Sequence, residues 1–227
     1  MTAAGPVDAV FFDLFGTLLS LAPLDQACDR LSPGRGGEIA ARWRARQLEA
    51  SWLRTAMERW ADFDVVTIDA LRATLRELGV GGSADDDVLR EVAEAFVDLP
   101  PVAGAPDVVQ ELRAAGLVTG VLTNAAFRML DMGSQRLPPM DHYLSVDSAQ
   151  RFKPHPSVYR LAVDATGLPA NRIGFVTKNG WDAAGAGAFG FRVAWLRPDA
   201  SASLPAVGAP EPIVATWPEI TTIFGRP

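Results

Sequence analysis

The 227-residue chain has a single cysteine, Cys28, so no internal disulfide framework can form, and one apolar thiol suits a reducing, cytoplasmic setting. Histidine is scarce as well. Neither His142 nor His155 stands at a metal-ligand spacing with a second donor, so the sequence implies no metal and no cofactor. No apolar run reaches the ~18 residues of a membrane span, and the segment Met1 to Val10 lacks the basic start of a secretory signal. Cationic excess is missing too. With 21 Lys and Arg against 27 Asp and Glu, the net charge of −6 argues against a nucleic-acid partner, because phosphate binding needs concentrated positive charge. Repeats and low-complexity tracts are absent, and the Pro- and Gly-rich stretches 99–106 and 197–212 read as loops.

What the chain does have is apolar side chains, 48% of the total, enough to bury a sizeable core in one domain carrying an insert. Val7 to Leu14 reads as a buried strand, yet it runs into a bare carboxylate, Asp13, followed by a Gly16-Thr17 turn. Burying an unpaired charge is costly, so Asp13 either caps that turn or performs chemistry. From Leu24 to Leu99 the pattern is helical, with helices over 38–60, 64–78 and 83–98. In the first, Ile39, Trp43, Leu48, Trp52, Leu53, Ala56 and Trp60 recur at helical spacing. After Pro100 and Pro101, helices over 106–115, from 126, over 156–166 and over 181–188 alternate with strands over 117–122, 142–146, 172–177 and 191–196, which closes the series. The alternation predicts an α/β, Rossmann-like core whose parallel sheet is flanked by helices. The core comprises 1–20 and 100–227; the helical cap, 21–99, is inserted after the first strand and sits over the carboxyl ends of the strands, where open α/β sheets bind ligands.

Polar residues gather at those strand ends: Asp13 and Thr17 after the first, Thr123 and Asn124 after the next, and Thr177, Asn179 and Asp182 after a later one, with Lys153 just before Pro154. Each alone has an ordinary explanation as a cap or turn residue. Their convergence on one edge does not.

The runs DLFGTL (13–18), LTN (122–124), Lys153-Pro154 and Asn179-x-Trp181-Asp182 resemble the haloacid dehalogenase superfamily, and the likeness spans the chain. The stretch 34–54, with Trp43-Arg44 and Gln47-Leu48-Glu49, is similar to the cap of the type II L-2-haloacid dehalogenases. The superfamily's magnesium-dependent phosphatases carry two further Asp residues where this chain has Phe15 and Lys178, neither of which can protonate an alkoxide or ligate a hard cation as those do. The resemblance implies metal-free dehalogenation of short-chain L-2-haloacids to 2-hydroxyacids with inversion, through an ester on Asp13. It assigns Arg44 to the halide, Lys153 to orienting Asp13, Tyr159 to bracing the lysine, and Asn179 and Asp182 to the attacking water. Thr17 and Thr177 complete the polar set. The substrate carboxylate falls to Thr123 and to backbone N–H groups near Leu14, Phe15 and Asn124, and Phe15, Leu48, Phe63 and Trp181 form the apolar wall. A 2-haloacid, its halide and a second copy of the chain are the implied partners, the last meeting it through the cap. Thr123 and Thr177 stand where Ser is usual, as does Lys178, whose charge is expected to be shared between Asp182 and the cleft. Two alternatives stay open: a superfamily hydrolase acting on a phosphate ester, and a catalytically weakened paralogue that binds small acids.

Overall fold

A computed structural model describes residues 6–80, 85–197 and 201–225. The first strand, β1 (Ala9–Phe12), is buried at every position, as a strand covered on both faces must be. Four helices follow: α1 (Pro23–Asp29), α2 (Gly36–Ala56), α3 (Phe63–Glu77) and α4 (Asp86–Ala93), with a 3₁₀ turn over Glu94–Asp98. The Asp62 side chain caps α3 by accepting from the Val65 amide at 3.0 Å, and the Trp43 indole of α2 donates to the Thr67 carbonyl of α3 at 2.8 Å. Alternation then sets in: α5 (Ala105–Ala114), β2 (Val118–Thr123), α6 (Phe127–Ser134), β3 (His142–Ser145), α7 (Pro156–Thr166), β4 (Ile173–Thr177), α8 (Gly180–Phe189), β5 (Arg192–Trp195), β6 (Ile213–Val214) and α9 (Trp217–Phe224).

All strand pairings are parallel, in the order β3-β2-β1-β4-β5-β6. β1 therefore lies where the chain's path divides, towards β2 on one side and β4 on the other, the kind of position beyond whose carboxyl end open α/β sheets bind ligands. The helical segment joins the sheet at a narrow neck, where the outgoing and returning chains pair: the Ser20 amide donates to the Pro100 carbonyl and the Val102 amide to the Leu18 carbonyl, both at 2.8 Å.

Several elements differ from the sequence reading. Only Ala9–Phe12 of the segment from Val7 to Leu14 forms strand: Asp13 keeps one amide bond to β4, and Leu14 turns back, its carbonyl accepting from the amides of Thr17 and Leu19. The helix expected over 38–60 ends at Ala56, and its buried stripe is Ile39, Ala40, Trp43, Gln47 and Ser51; Trp52 and Leu53, expected on that stripe, are 37% and 52% exposed. The face packed on α3 carries polar groups that hydrogen-bond, so apolar spacing alone misjudged the helix's rotation. The helix expected over 83–98 divides into α4 and the 3₁₀ turn, and residues 83 and 84 lie outside the described residues, as do 198–200 of the loop read over 197–212. Nor does the series close at β5, since the two-residue β6 adds to the sheet and α9 packs against α5.

Candidate active site

Asp13 follows β1 directly, its amide donating to the Val176 carbonyl of β4 at 3.0 Å. Gly16 takes φ +82°, a conformation that side-chain-bearing residues avoid, and so the chain reverses tightly enough for Thr17 to return to Asp13. The Thr17 hydroxyl donates to Asp13 Oδ2 at 3.0 Å and accepts from the Lys178 amide at 3.0 Å. Asn179, the residue before α8, donates from Nδ2 to the same Oδ2 at 2.8 Å. On the other oxygen, Oδ1, Lys153 Nζ donates at 2.8 Å. That ammonium also donates to Asp182 Oδ2 at 2.6 Å and to the Leu122 carbonyl at 3.0 Å, which uses all three of its protons and leaves it no freedom. Lys153 and Asp182 are fully buried and Asp13 is 5% exposed.

Burial pushes the Asp182 carboxyl up to about 6, against the pull of Lys153 and with help from the Asp13 charge. Burial alone would lower the Lys153 ammonium, but the two carboxylates outweigh it and raise its pKa. The Tyr159 hydroxyl donates to Asp182 Oδ1 at 2.7 Å, and burial, then the Asp182 charge, lift the phenol well above its usual value. The expectation that Tyr159 braces the lysine is thus corrected: it holds Asp182, and reaches Lys153 only through that carboxylate. Gly185 makes room for this contact, since a Cβ there would stand 2.5 Å from Tyr159 Oη.

Two carboxylates against one ammonium leave this set one negative charge in excess. Arg44, on α2, balances it. Desolvation lowers its pKa while the Asp13 charge raises it, so the half-buried guanidinium feels Asp13 and stays charged. Among the described residues it forms no ion pair; Nη1 donates to the neutral Gln47 Oε1 at 2.5 Å. Asn124 supplies a second unspent donor: Oδ1 accepts from the Lys153 amide at 2.9 Å, whereas the buried Nδ2 has no partner. The hydroxyls of Thr123 and Thr177 accept from the amides of Ala125 and Asn179, both at 3.1 Å, and so shape the turns that present these asparagines.

The apolar residues expected of the wall are placed on both sides of the neck. Leu14 is fully buried, Phe15 meets Phe96 edge-on with centroids 5.3 Å apart, and Phe63 packs on Phe152 at 5.8 Å. The Trp181 ring lies 6.0 Å from Lys153 Nζ and meets Trp52 of α2 edge-on at 5.7 Å. Leu48 is half-buried, one turn beyond Arg44. The structure does not bring Lys178 to this set. Its side chain is exposed and forms no ion pair with Asp13 or Asp182, whose oxygens are occupied by Lys153, Thr17, Asn179 and Tyr159. The shared charge expected of Lys178 is thereby overturned, because its backbone is tied to Thr17 and to the Trp195 indole, and the side chain leads outward.

Sequence reasoning also missed Gln47 and Thr67, which belong to this site through Arg44; the signal was a residue three places along the same helix face. Elsewhere, His142 stacks on Phe11 at 6.0 Å and the His155 side chain caps α7. Cys28 is buried, and burial, with Asp25 nearby, pushes its thiol up to about 12. Among the described residues no cluster of His, Cys, Asp or Glu could hold a metal ion, and no helix is long and apolar enough to cross a membrane.

Against known proteins, residues 7–190 match the haloacid dehalogenase-like hydrolase family. An (S)-2-haloacid dehalogenase of Pseudomonas putida is 39% identical over 193 residues, 84% of each chain. A haloacetate dehalogenase H-2 of a Moraxella species is 33% identical over 193 residues, 84% of this chain and 85% of its own. The structure of L-2-haloacid dehalogenase from Xanthobacter autotrophicus with chloropropionic acid covalently bound superposes with a TM-score of 0.81 at 38% identity, covering 86% of this chain and 79% of the other.

Proposed function

The chain belongs to the haloacid dehalogenase-like hydrolases, and from that premise we propose that it hydrolyses short-chain L-2-haloacids to 2-hydroxyacids, with Asp13 as nucleophile and inversion at C2. The observation that carries this reading is a buried carboxylate, Asp13, whose charge reaches a half-buried guanidinium, Arg44, that forms no ion pair among the described residues. A halide leaves as a stable anion and needs no proton, only a fixed positive cradle away from water. Arg44, supplied by the helical segment 21–99 acting as a cap, is that cradle, and the free Asn124 Nδ2 offers a further donor.

In the first step an Asp13 oxygen attacks C2 opposite the halogen; the C–O bond forms as the C–halogen bond breaks, and the electron pair departs with the halide. Asp13 Oδ2 already accepts two hydrogen bonds while Oδ1 accepts one, from Lys153, which leaves Oδ1 a lone pair to use. The substrate carboxylate rests on Thr123 and the backbone N–H groups of the turn after β1, and Phe15, Leu48, Phe63 and Trp181 exclude water. In the second step water, held by Asn179 and deprotonated towards Asp182, attacks the Asp13 carbonyl carbon. The 2-hydroxyacid leaves with an oxygen that came from Asp13 and takes the proton held by Asp182, while the water oxygen stays in the carboxylate and its remaining proton passes to solvent.

Enzyme in excess over 2-chloropropionate in ¹⁸O-water tests the ester. The peptide bearing Asp13 should gain 2 Da and the first-turnover product should carry no label; label found directly in that product overturns the covalent route. The same reading includes a cytoplasmic homodimer: Trp52 and Leu53 of α2, with Met57 just beyond it, leave an apolar stretch exposed for a second copy. Sedimentation at twice the 24.3 kDa chain mass is the expected result, and a monomer would remove the dimer from it.

A further inference from the structure

Gln47 is the one fully buried amide side chain of α2, placed where helix packing would ordinarily select an aliphatic residue. Its two ends face different helices. Oε1 accepts from Arg44 Nη1 at 2.5 Å, one turn back on α2, and Nε2 donates to the Thr67 hydroxyl of α3 at 2.5 Å. The amide's orientation follows from chemistry, since a guanidinium has only donors and Gln47 must offer it oxygen. Thr67 is itself fixed, buried within α3 and joined to α2 again through the Trp43 indole on its carbonyl.

We infer that Gln47 is a positioning residue for the halide cradle: it aims the Arg44 guanidinium at the leaving halogen through a neutral acceptor, and so holds the cation without discharging it. The inference rests on the dehalogenase reading above. A carboxylate would orient the guanidinium equally well, but it would form a buried ion pair and cancel the charge that a departing halide needs. An aliphatic side chain would fill the space and leave the guanidinium free to swing among its rotamers. The amide alone meets both demands, which accounts for a buried polar group at a position that packing does not require to be polar.

Gln47→Glu has nearly the same shape and provides the test, with Gln47→Met as a second variant that keeps length and packing but removes the acceptor. Wild-type halide release from 2-chloropropionate is measured first; if there is none, the dehalogenase reading fails, whatever Gln47 does. Given turnover, Gln47→Glu should weaken inhibition by added bromide more than tenfold and raise the ratio of kcat on 2-bromopropionate to kcat on 2-chloropropionate several-fold, because the poorer leaving group depends more on the cradle. Its melting temperature should hold or rise while activity falls, opposite movements that a merely structural role would not produce. Gln47→Met should raise the same kcat ratio by less. Wild-type bromide inhibition and an unchanged bromo-to-chloro ratio in both variants would overturn the inference.

Discussion

Lysine occurs twice in this chain, and the two copies show how position decides a residue's part. Lys178 extends into solvent, whereas Lys153 is fully buried between two carboxylates. Cutting into such a buried set costs about 3–5 kcal/mol, because it strands a charge that has nowhere to go. The set is also where acid should stop the enzyme. With Asp182 held at about 6, protonation below that value removes the base for water and turns the whole Lys153 charge onto Asp13, which blunts its attack. Tyr159→Phe deletes a hydrogen bond to the ionised Asp182, so its pKa should rise further, by about one unit for ~1.4 kcal/mol of lost interaction. The acid limb of kcat should move upward in pH accordingly. For stability the sign is that of a raised carboxyl: its contribution is complete below the ordinary value of 3.8 and is lost as pH climbs through about 6. Urea unfolding of Tyr159→Phe between pH 4 and 8 should show that loss extending to higher pH than in the wild type. An acid limb that stays in place would take Asp182 out of the rate.

At the scale of elements, most of the site was legible because a parallel α/β sheet delivers the residues after each strand to one edge. Finding Asp13, Thr17, Asn124 and Asn179 needed only the alternation of strand and helix. Contacts between elements were not legible. The choice of Asp182 over Lys153 as the partner of Tyr159 depends on how closely α8 approaches α7, and the buried stripe of α2 includes Gln47 and Ser51, which no count of apolar spacing would select. β6 is too short to carry a period. The approach of α8 is set by Gly185, where a Cβ would meet both Pro154 Cβ and Tyr159 Oη at 2.5 Å. Alanine is the better helix former by about 1 kcal/mol, yet overpacking costs about 1–3 kcal/mol and here it pushes on Pro154, the residue after Lys153. Gly185→Ala should therefore lower the melting temperature and reduce kcat by more than the fraction unfolded explains. Calorimetry beside steady-state kinetics measures both; a stabilised variant with full activity would show that the contact yields.

For the whole molecule, the neck at Leu18–Ser20 and Pro100–Val102 invites a picture of two independent bodies, but the packing argues otherwise. Buried residues of the helical segment and of the sheet form one continuous cluster. Phe15 lies against Phe96, Phe96 against Trp43, and Phe152 between Trp60 and Phe63, so aromatic rings from both sides share each other's burial. Burying one such side chain contributes about 1.5–3 kcal/mol, and four of them, Phe15, Phe96, Phe63 and Phe152, reach roughly 6–12 kcal/mol. That is comparable to the roughly 5–15 kcal/mol by which a domain is stable at all. The ion pairs across the same boundary, Arg128 with Asp64 and Glu94, Arg136 with Asp98 and Arg151 with Glu58, are largely exposed and add about 0–1 kcal/mol each. The aromatic contacts decide the outcome: separating the helical segment costs a free energy of the same order as the whole net stability of a domain, so the two should unfold together. Native-state hydrogen exchange can read this directly. The slowest amides of α3 and of β4 should report the same opening free energy and the same dependence on denaturant. Should α3 exchange from a state more than about 1.4 kcal/mol more accessible than the one that opens β4, a tenfold difference in population, the segment opens on its own and the shared aromatic burial does not bind it to the sheet.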